Sequence, residues 1–160
     1  MGLITFVYII LGLWLFNALQ LFLNWCFIPI VKNEEPSDHP KISVVVPARN
    51  EEEAIVPALR SLGKQSYKNL EVILVNDCSE DETLALAQEI AKEYPCVRVV
   101  DGKPVPKGWL GKPHAMAQGL EVASGEYILF TDADIIHSET SIEAGLAFLQ
   151  KHVGDLLSLG

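Results

Sequence analysis

The N-terminal part of this chain carries no charged side chain over residues 2–31. This apolar run of about 30 residues is longer than the roughly 20 residues that a bilayer-spanning helix needs. Trp25 and Phe27 lie near its end and Pro29 follows, as in an interfacial aromatic belt followed by a helix stop. The sequence therefore predicts one transmembrane anchor over residues 3–31.

A cleaved signal peptide, a buried core helix and a membrane-surface helix all fit this segment less well. A signal peptide has a basic start, a shorter apolar region and a small-residue cleavage site, and a surface helix has a charged face. No Lys or Arg precedes the run, whereas Lys32, Lys41 and Arg49 follow it. By the positive-inside rule, we expect a membrane protein whose remaining residues face the cytoplasm.

Residues 32–41 are polar and are interrupted by Pro36 and Pro40, which is typical of a linker. Residues 42–160 are then expected to form the folded domain. With a formal net charge of −9, the chain is poorly suited to bind a nucleic-acid backbone, so we expect no nucleic-acid partner.

The three cysteines, Cys26, Cys78 and Cys96, are far apart and lack a C-x-x-C spacing. Their number and spacing indicate neither a disulfide framework nor a zinc site.

Apolar runs and amphipathic runs alternate along residues 42–160. The apolar runs predict strands over 42–46, 70–75, 97–100 and 127–131, with Pro47 ending the first. The helical spacing predicts helices over 51–65, 81–94, 112–123 and 138–151, with a capping box of Ser79 and Glu82 at the second. This alternation predicts an α/β fold with a mostly parallel sheet. Residues 155–160 resemble the start of a fifth strand, so we expect the sheet to be incomplete and the chain to be part of a longer protein.

Polar residues follow each predicted strand, in the segments 47–51, 76–79, 101–111 and 132–134. Ligands of open α/β sheets bind outside the carboxyl ends of the strands, so these segments are expected to converge. Asp132 and Asp134 supply two carboxylates there, and carboxylate oxygens are ligands that Mg²⁺ and Mn²⁺ prefer. The sequence therefore predicts a divalent metal at this edge.

Two phosphate-binding motifs do not match the sequence. A Walker loop needs Gly where the chain has Pro106, and Ser or Thr where it has Pro113. A dinucleotide fingerprint needs a Gly-rich turn after the first strand, where the chain has Ala48, Arg49 and Asn50. A Walker-type nucleotidase and a hydride-transfer enzyme are therefore disfavoured.

Four ordered segments carry a more specific signal: ISVVVPARNE at 42–51, VNDCSEDET at 75–83, GKPHAMAQG at 111–119 and ASGEYILFTDAD at 123–134. Together they resemble the family 2 inverting glycosyltransferases of GT-A fold, which have a Rossmann-like, nucleotide-sugar-binding sheet. The sequence GWLGK at 108–112, behind an N-terminal membrane helix, is most similar to the branch associated with carotenoid and hopanoid glycosylation.

The resemblance implies roles for particular residues. Residues of the first loop would line the nucleotide site, namely Pro47, Ala48, Arg49 and Glu51. Asp77 would contact the base or ribose, Asp132 would face the ribose, and Asp134 would ligate Mn²⁺ or Mg²⁺ that bridges the diphosphate. The implied reaction moves a sugar from a nucleotide-sugar donor to a lipid-type, membrane-associated acceptor with inversion. The catalytic residue is unknown, because the family's general base would lie beyond Gly160.

Lys112 is predicted to contact the donor diphosphate on physical grounds as well. A lysine at a helix N-terminus is disfavoured by the helix dipole, so stability gives no reason for it. With an anion present, the ammonium group and the helix amides would share a phosphate. A solvated loop lysine is the alternative.

Other functions stay open at this point. The chain could be a catalytically inactive, nucleotide-sugar-binding fragment, because the acceptor half of the site is not expected within it. A nucleotidyltransferase would need a Gly-rich loop with an arginine after the first strand, and this chain has no such Gly-rich loop. A phosphate receiver would need acidic residues after its first strand and a phosphoacceptor after its third, whereas the suitable aspartate here follows the second strand.

Overall fold

The computed structural model describes residues 2–27, 31–152 and 157. The chain forms two compact units, Met1–Val31 and Lys32–Gly160. In the first, helix α1 (Leu3–Phe27) buries none of its side chains. Among the described residues, it is the one helix long and apolar enough to cross a membrane. Its 25 residues span about 37 Å, which exceeds the hydrocarbon core of a bilayer at about 30 Å.

The second unit alternates strands with helices. The strands are β1 (Ile42–Ala48), β2 (Leu70–Asn76), β3 (Val97–Asp101) and β4 (Tyr127–Phe130). The helices are α2 (Ile55–Gly63), α3 (Thr83–Glu93), α4 (Gly111–Val122) and α5 (Ser141–Lys151). Each predicted strand and helix is therefore present, although α2, α3 and α5 begin two to four residues later than predicted.

The four strands form one parallel sheet in the order β3-β2-β1-β4. At the start of β1, Ile42 is in register with Leu70 of β2 and with Tyr127 of β4. At the end of β1, Ala48 is in register with Asn76. The carboxyl ends of the strands therefore share one edge of the sheet. The parallel sheet with interleaved helices confirms the predicted α/β fold.

Helices cover both faces of this sheet. On one face, Val44 and Leu74 are fully buried in a cluster with Leu59 of α2 and with residues of α3 and α5. On the other face, Ile73 packs with Ala115 of α4. Full burial of a valine or leucine side chain contributes about 1.5–3 kcal/mol. This packing fixes the strand ends from which the polar loops start.

The first strand continues through Pro47, so the prediction that this proline ends it was wrong. Ala48 accepts a hydrogen bond from Asp77 on the β2 side. Backbone groups of successive residues point to opposite sides, so the nitrogen of Pro47 faces β4. There, β4 has already ended at Phe130, level with Val45. The missing N–H therefore costs the sheet no hydrogen bond.

The predicted capping box of Ser79 and Glu82 was also wrong. The hydroxyl oxygen of Ser79 instead accepts a hydrogen bond from the Asn50 N–H at 3.1 Å. Asp81 accepts hydrogen bonds from the N–H and the hydroxyl of Thr83, at 3.0 and 2.6 Å, and these bonds lower the pKa of Asp81 below its ordinary value. The start of α3 is therefore organised by contacts to a second loop.

The fourth strand is less buried than its apolar sequence predicts. Its residues are half-buried or exposed, and Phe130 is 42% exposed. Within the described residues β4 has one neighbour in the sheet, β1. The predicted start of a fifth strand over residues 155–160 lies outside the described residues apart from Leu157.

Residues 32–41, predicted as a linker, lie along α5. The side-chain oxygen of Gln150 accepts hydrogen bonds from the N–H and the hydroxyl of Ser37, at 2.8 and 3.0 Å. The Gln150 amide group donates in turn to the carbonyl oxygen of Asp38 at 3.1 Å. Pro36 is buried. This segment is therefore bound to the second unit by specific contacts.

Candidate functional site

The loops after β1 and β2 are joined by hydrogen bonds. The N–H groups of Glu51 and Glu52 donate to the Thr83 hydroxyl at 2.8 Å and to an Asp81 carboxylate oxygen at 3.2 Å. In the other direction, Glu80 N–H donates to the side chain of Asn50 at 2.9 Å. These bonds hold both loops at the carboxyl edge of the sheet.

Two residues in these loops, Asn50 and Cys78, have left-handed backbones with φ of 56° and 54°. Asparagine tolerates this region better than most residues. For Cys78 the conformation is unusual, and it places the residue directly after Asp77 with its thiol exposed. The sharp turn in each loop therefore occurs beside a predicted site residue.

Asp77 is the most buried carboxylate at this edge. Its residue is 4% exposed, and one carboxylate oxygen, Oδ2, lies 4.0 Å from a guanidinium nitrogen of Arg49. The other oxygen, Oδ1, is buried and has no hydrogen-bond partner among the described residues. A buried, unpaired carboxylate oxygen is costly, by about 1–3 kcal/mol or more. Such a group often marks a place where a ligand donates a hydrogen bond.

The start of α4 lies directly over Asp77. A Cβ atom on Gly111 would be 2.5 Å from Asp77 Oδ2 and 3.9 Å from Arg49. A side chain at this position would therefore clash with the carboxylate.

Lys112, the next residue of α4, forms an ion pair with Asp132, which lies just after β4. Its ammonium nitrogen is 2.5 Å from Asp132 Oδ1. Both side chains are exposed, by 58% and 51%. The contacts of Arg49 with Asp77 and of Asp77 with Gly111, together with this ion pair, link residues at the ends of β1, β2 and β4 and at the start of α4. The name edge site is used for these five residues: Arg49, Asp77, Gly111, Lys112 and Asp132.

Asp134, the predicted metal ligand, is exposed. No hydrogen bond or ion pair of its carboxylate is found within the described part of the chain, and no group of three His, Cys, Asp or Glu residues there could hold a metal. Ala133 between the two aspartates is buried. Thr131 and His137 are hydrogen-bonded at 2.9 Å, and burial lowers the pKa of His137. Residues 132–134, called the aspartate segment, are therefore fixed by the buried Ala133 and by the neighbouring hydrogen bond of Thr131 with His137, while their two carboxylates face solvent.

Some predicted site residues are not part of this set of contacts. Ala48 is buried and Pro47 is half-buried, and both belong to β1. Glu51 contributes a backbone hydrogen bond to Thr83. The structure thus brings together Arg49, Asp77, Lys112 and Asp132, while the ligand roles of all the predicted site residues stay predictions.

Comparison with known proteins identifies the family. Residues 43–158 match the family model described as Glycosyl transferase family 2. The chain belongs to glycosyl transferase family 2. Poly(ribitol-phosphate) beta-N-acetylglucosaminyltransferase TarS of Staphylococcus aureus is 34% identical over 119 residues, covering 73% of this chain and 20% of TarS. 4,4'-Diaponeurosporenoate glycosyltransferase of Staphylococcus haemolyticus is 35% identical over 115 residues, covering 71% of this chain and 29% of that enzyme.

Solved structures give the same result for the fold. S. aureus TarS 1-349 in complex with UDP-GlcNAc superposes with a TM-score of 0.60 at 33% identity, covering 71% of this chain and 32% of that one. The mannosyltransferase PcManGT from Pyrobaculum calidifontis, in complex with GDP-Man and Mn²⁺, has a TM-score of 0.69 at 27% identity, covering 84% and 40%. The chain spans between a fifth and two fifths of the length of the matched chains of these three proteins. These comparisons confirm the predicted family and its GT-A fold.

Sequence reasoning missed several contacts that shape the edge site of this family 2 chain. Asn76 donates a side-chain hydrogen bond to Asp101 at 2.8 Å, and its carbonyl oxygen accepts one from Gly102. A Cβ atom on Gly102 would be 2.5 Å from that carbonyl oxygen. Gly102, directly after the end of β3, was the available signal, because a glycine there can mark a close approach of two backbones.

A second polar cluster lies at the opposite, amino-terminal edge of the sheet. Glu71 accepts hydrogen bonds from the Ser43 hydroxyl at 2.5 Å, from the Ser124 N–H at 2.7 Å and from the Lys41 ammonium group at 3.1 Å. Burial raises the pKa of Glu71, but these hydrogen bonds outweigh it and lower that pKa to about 2. The cluster attaches the turn before β4 to β2, so its role is structural.

Proposed function

We propose that this chain is the donor-binding part of a membrane-anchored glycosyltransferase that moves a sugar from a nucleotide-sugar to a lipid-type acceptor with inversion. The observation that carries the proposal is the edge site, where Asp77 with its unpaired, buried oxygen adjoins the start of α4. Membership of glycosyl transferase family 2 supports the reaction. Two structural neighbours were solved with UDP-GlcNAc and with GDP-Man, which supports a nucleotide-sugar donor.

Asp77 and Arg49 are proposed to bind the nucleoside. The buried Oδ1 of Asp77 can accept a hydrogen bond from a base N–H or a ribose hydroxyl, which would satisfy it. Arg49 is 56% exposed and can pack its planar guanidinium group on a base. Pro47, Ala48 and Glu51 would line the same pocket.

Lys112 is proposed to bind the diphosphate. Its ion pair with Asp132 is exposed, so it contributes at most about 1 kcal/mol and opens at little cost. A phosphate at the start of α4 would accept hydrogen bonds from the Lys112 ammonium group and from helix amides. Release from Lys112 would leave Asp132 free to accept a hydrogen bond from the ribose.

The aspartate segment fits a divalent cation by the chemistry of its donors. Asp132 and Asp134 offer two carboxylates on exposed side chains. Mg²⁺ is commonly held by one or two carboxylates together with substrate phosphates, so no third protein ligand is required. When bound, Mn²⁺ or Mg²⁺ would neutralise the charge that develops on the departing nucleoside diphosphate. PcManGT, solved with Mn²⁺, supports this assignment.

The anchor, the orientation and the acceptor belong to the same proposal. α1 would span the bilayer, residues 32–41 would follow it, and the domain would face the cytoplasm because Lys32 and Lys41 lie after the span. A membrane-bound domain meets acceptors that reside in the bilayer. The relative that acts on 4,4'-diaponeurosporenoate supports a lipid-type acceptor, while TarS, which acts on poly(ribitol-phosphate), provides a contrasting case.

Calorimetric titration of the detergent-solubilised chain with UDP-sugars and GDP-sugars, with and without Mn²⁺, tests the proposal. We expect binding that requires Mn²⁺, is lost in Asp134→Ala and is weakened in Asp77→Ala. Glu89→Gln, which removes an exposed carboxylate paired with Lys92 on α3, is the matched control and should bind normally. A folded chain that binds no nucleotide-sugar, or that binds nucleoside triphosphates better, contradicts the proposal.

A further inference from the structure

The segment that runs from the end of β3 into the first turn of α4 has a charge pattern unlike the rest of the chain. It is called the basic loop here and comprises residues 102–112. The loop carries Lys103, Lys107 and Lys112, all exposed. No Asp or Glu occurs over residues 102–120, although the chain has 21 acidic and 12 basic residues. A negatively charged surface would therefore be attracted to this loop and repelled by most of the molecule.

The tip of the basic loop exposes two large apolar side chains. Trp109 is 51% exposed and Leu110 is 75% exposed. The Trp109 N–H donates to the Pro106 carbonyl oxygen at 3.1 Å, and Gly108 between them has a left-handed backbone with φ of 93°. The tip is therefore a hydrogen-bonded turn in which the indole ring lies edge-on to His114, with ring centroids 5.6 Å apart, and keeps about half of its residue surface exposed. Exposed tryptophan and leucine of this kind mark an interaction surface.

A second exposed apolar pair follows the aspartate segment. Ile135 and Ile136 are 44% and 68% exposed. The ion pair of Lys112 with Asp132 joins the two segments, because Lys112 lies three residues after Trp109 and Asp132 lies three residues before Ile135. Four exposed apolar side chains, Trp109, Leu110, Ile135 and Ile136, thus border the edge site. The lysines of the basic loop lie next to the first two in the sequence.

We infer that the basic loop docks on the surface of an anionic lipid bilayer, with Trp109 and Leu110 in the interface and Lys103 and Lys107 on lipid headgroups. Tryptophan favours the headgroup region, and each lysine near an anionic leaflet adds to the attraction. A bilayer fits better than a protein partner because the surface combines an exposed tryptophan and leucine with Lys103 and Lys107, which form no ion pair among the described residues, as interfacial membrane segments combine apolar and basic side chains.

This inference rests on the membrane anchoring proposed above and extends it to the edge site. A loop resting on the headgroups holds Lys112 and Asp132 close to the membrane surface. A lipid acceptor could then present its polar end to the site without leaving the bilayer. Attraction between the loop and the membrane also opposes the repulsion expected for a domain of negative net charge over an anionic leaflet.

The test uses the full chain in lipid nanodiscs. Trp14→Phe and Trp25→Phe leave Trp109 as the only tryptophan, and its fluorescence is quenched with lipids brominated near the headgroup or deep in the acyl chains. We expect stronger quenching by the shallow bromines, in discs that contain phosphatidylglycerol. Replacing Lys103 or Lys107 by Gln should lower the equilibrium constant for docking about fivefold for each lysine, and added salt should act in the same direction.

The positional control places the only tryptophan on α3, with Trp109→Phe and Lys92→Trp in the same background, since Lys92 is 70% exposed. Circular dichroism and resistance to alkaline extraction establish that each variant is folded and anchored. If Trp109 is quenched no more than the tryptophan at position 92, the docking inference is wrong. Protection of Trp109 from iodide without quenching by bromolipid would assign the surface to a protein contact and would equally overturn it.

These outcomes are separable from those of the proposed function. Donor titration in detergent does not depend on lipid contact, and bromolipid quenching does not depend on donor. Donor binding without quenching therefore rejects the docking of the basic loop alone. Quenching without donor binding rejects the proposed function and leaves the docking in place.

Discussion

The Lys112 ammonium group lies 2.5 Å from Asp132 Oδ1, and this one ion pair connects the start of α4 with the segment after β4. Both side chains are more than half exposed, so the pair contributes little to the free energy of unfolding. In the proposed function, the diphosphate would bind Lys112 and the ribose would bind Asp132, so the donor would separate the pair. We therefore expect the ion pair to matter for donor binding more than for stability.

Replacing Lys112 by Met should weaken binding of a UDP-sugar or GDP-sugar about 10- to 100-fold, since a hydrogen bond to a charged group contributes about 1.5–3 kcal/mol. The thermal midpoint of the chain should change little. Calorimetric titration and thermal unfolding measure the two quantities. Lys92→Met, which breaks an exposed ion pair on α3, is the matched control. Equal effects of the two substitutions on affinity would argue against a role for Lys112.

Gly111→Ala should destabilise the chain by about 1–3 kcal/mol, because its Cβ atom would be 2.5 Å from Asp77 Oδ2. The cost should largely disappear in the Asp77→Ala background, where the carboxylate is gone. Thermal unfolding of the two single variants and the double variant measures this coupling. An unchanged cost in the Asp77→Ala background would show that Gly111 is required for another reason.

Glu71 should make the stability of the domain depend on pH in the acid range. Its pKa is lowered from 4.5 to about 2, so the folded state favours the ionised form. The stabilisation is complete above pH 4.5 and is lost as the pH falls from 4.5 toward 2. Glu71→Gln should cost about 1–2 kcal/mol at neutral pH and flatten that dependence. Denaturation curves recorded from pH 7 to pH 2 measure it, with Glu89→Gln as the exposed control.

The proposed orientation can be measured with the exposed thiol of Cys78. In a Cys26→Ser, Cys96→Ser background, a membrane-impermeant maleimide should label Cys78 in inside-out vesicles and not in intact spheroplasts. Cys96 is removed because it is a second thiol of the domain, although burial raises its pKa and slows its reaction. Labelling in intact spheroplasts would place the domain outside the cytoplasm.

The strands were predictable because each is rich in β-branched and other apolar residues, and all four begin where the sequence predicts. The helix starts were less predictable, since they depend on contacts between distant residues. Ser79 was available as a cap, but its hydroxyl accepts a hydrogen bond from Asn50, 29 residues away. Likewise, β1 can continue beyond Pro47 because β4 stops before that point. The local sequence of β1 does not show where β4 stops.

For the edge site, the sequence predicted which residues meet but not how they pair. Asp77 and Asp132 were placed at one edge by the rule that parallel strands end together, and Lys112 was placed beside a phosphate by its position at a helix start. The pairing of Lys112 with Asp132 and the approach of Gly111 to Asp77 depend on how α4 packs on the sheet. That packing is set by small residues such as Ala115 and Gly119, which are buried against Val45 and Val75.

The hydrogen bonds between the first two loops have a consequence for anion recognition. Three consecutive main-chain amides after β1 donate to side-chain oxygens of the neighbouring loop; they belong to Asn50, Glu51 and Glu52. Many nucleotide-binding proteins wrap phosphate oxygens with free amides at this same point of the chain. Here those three donors are already bonded within the protein, so they are not available to a phosphate. In the proposed function, recognition of the pyrophosphate therefore falls to the start of α4 and the segment after β4, at the same edge of the sheet.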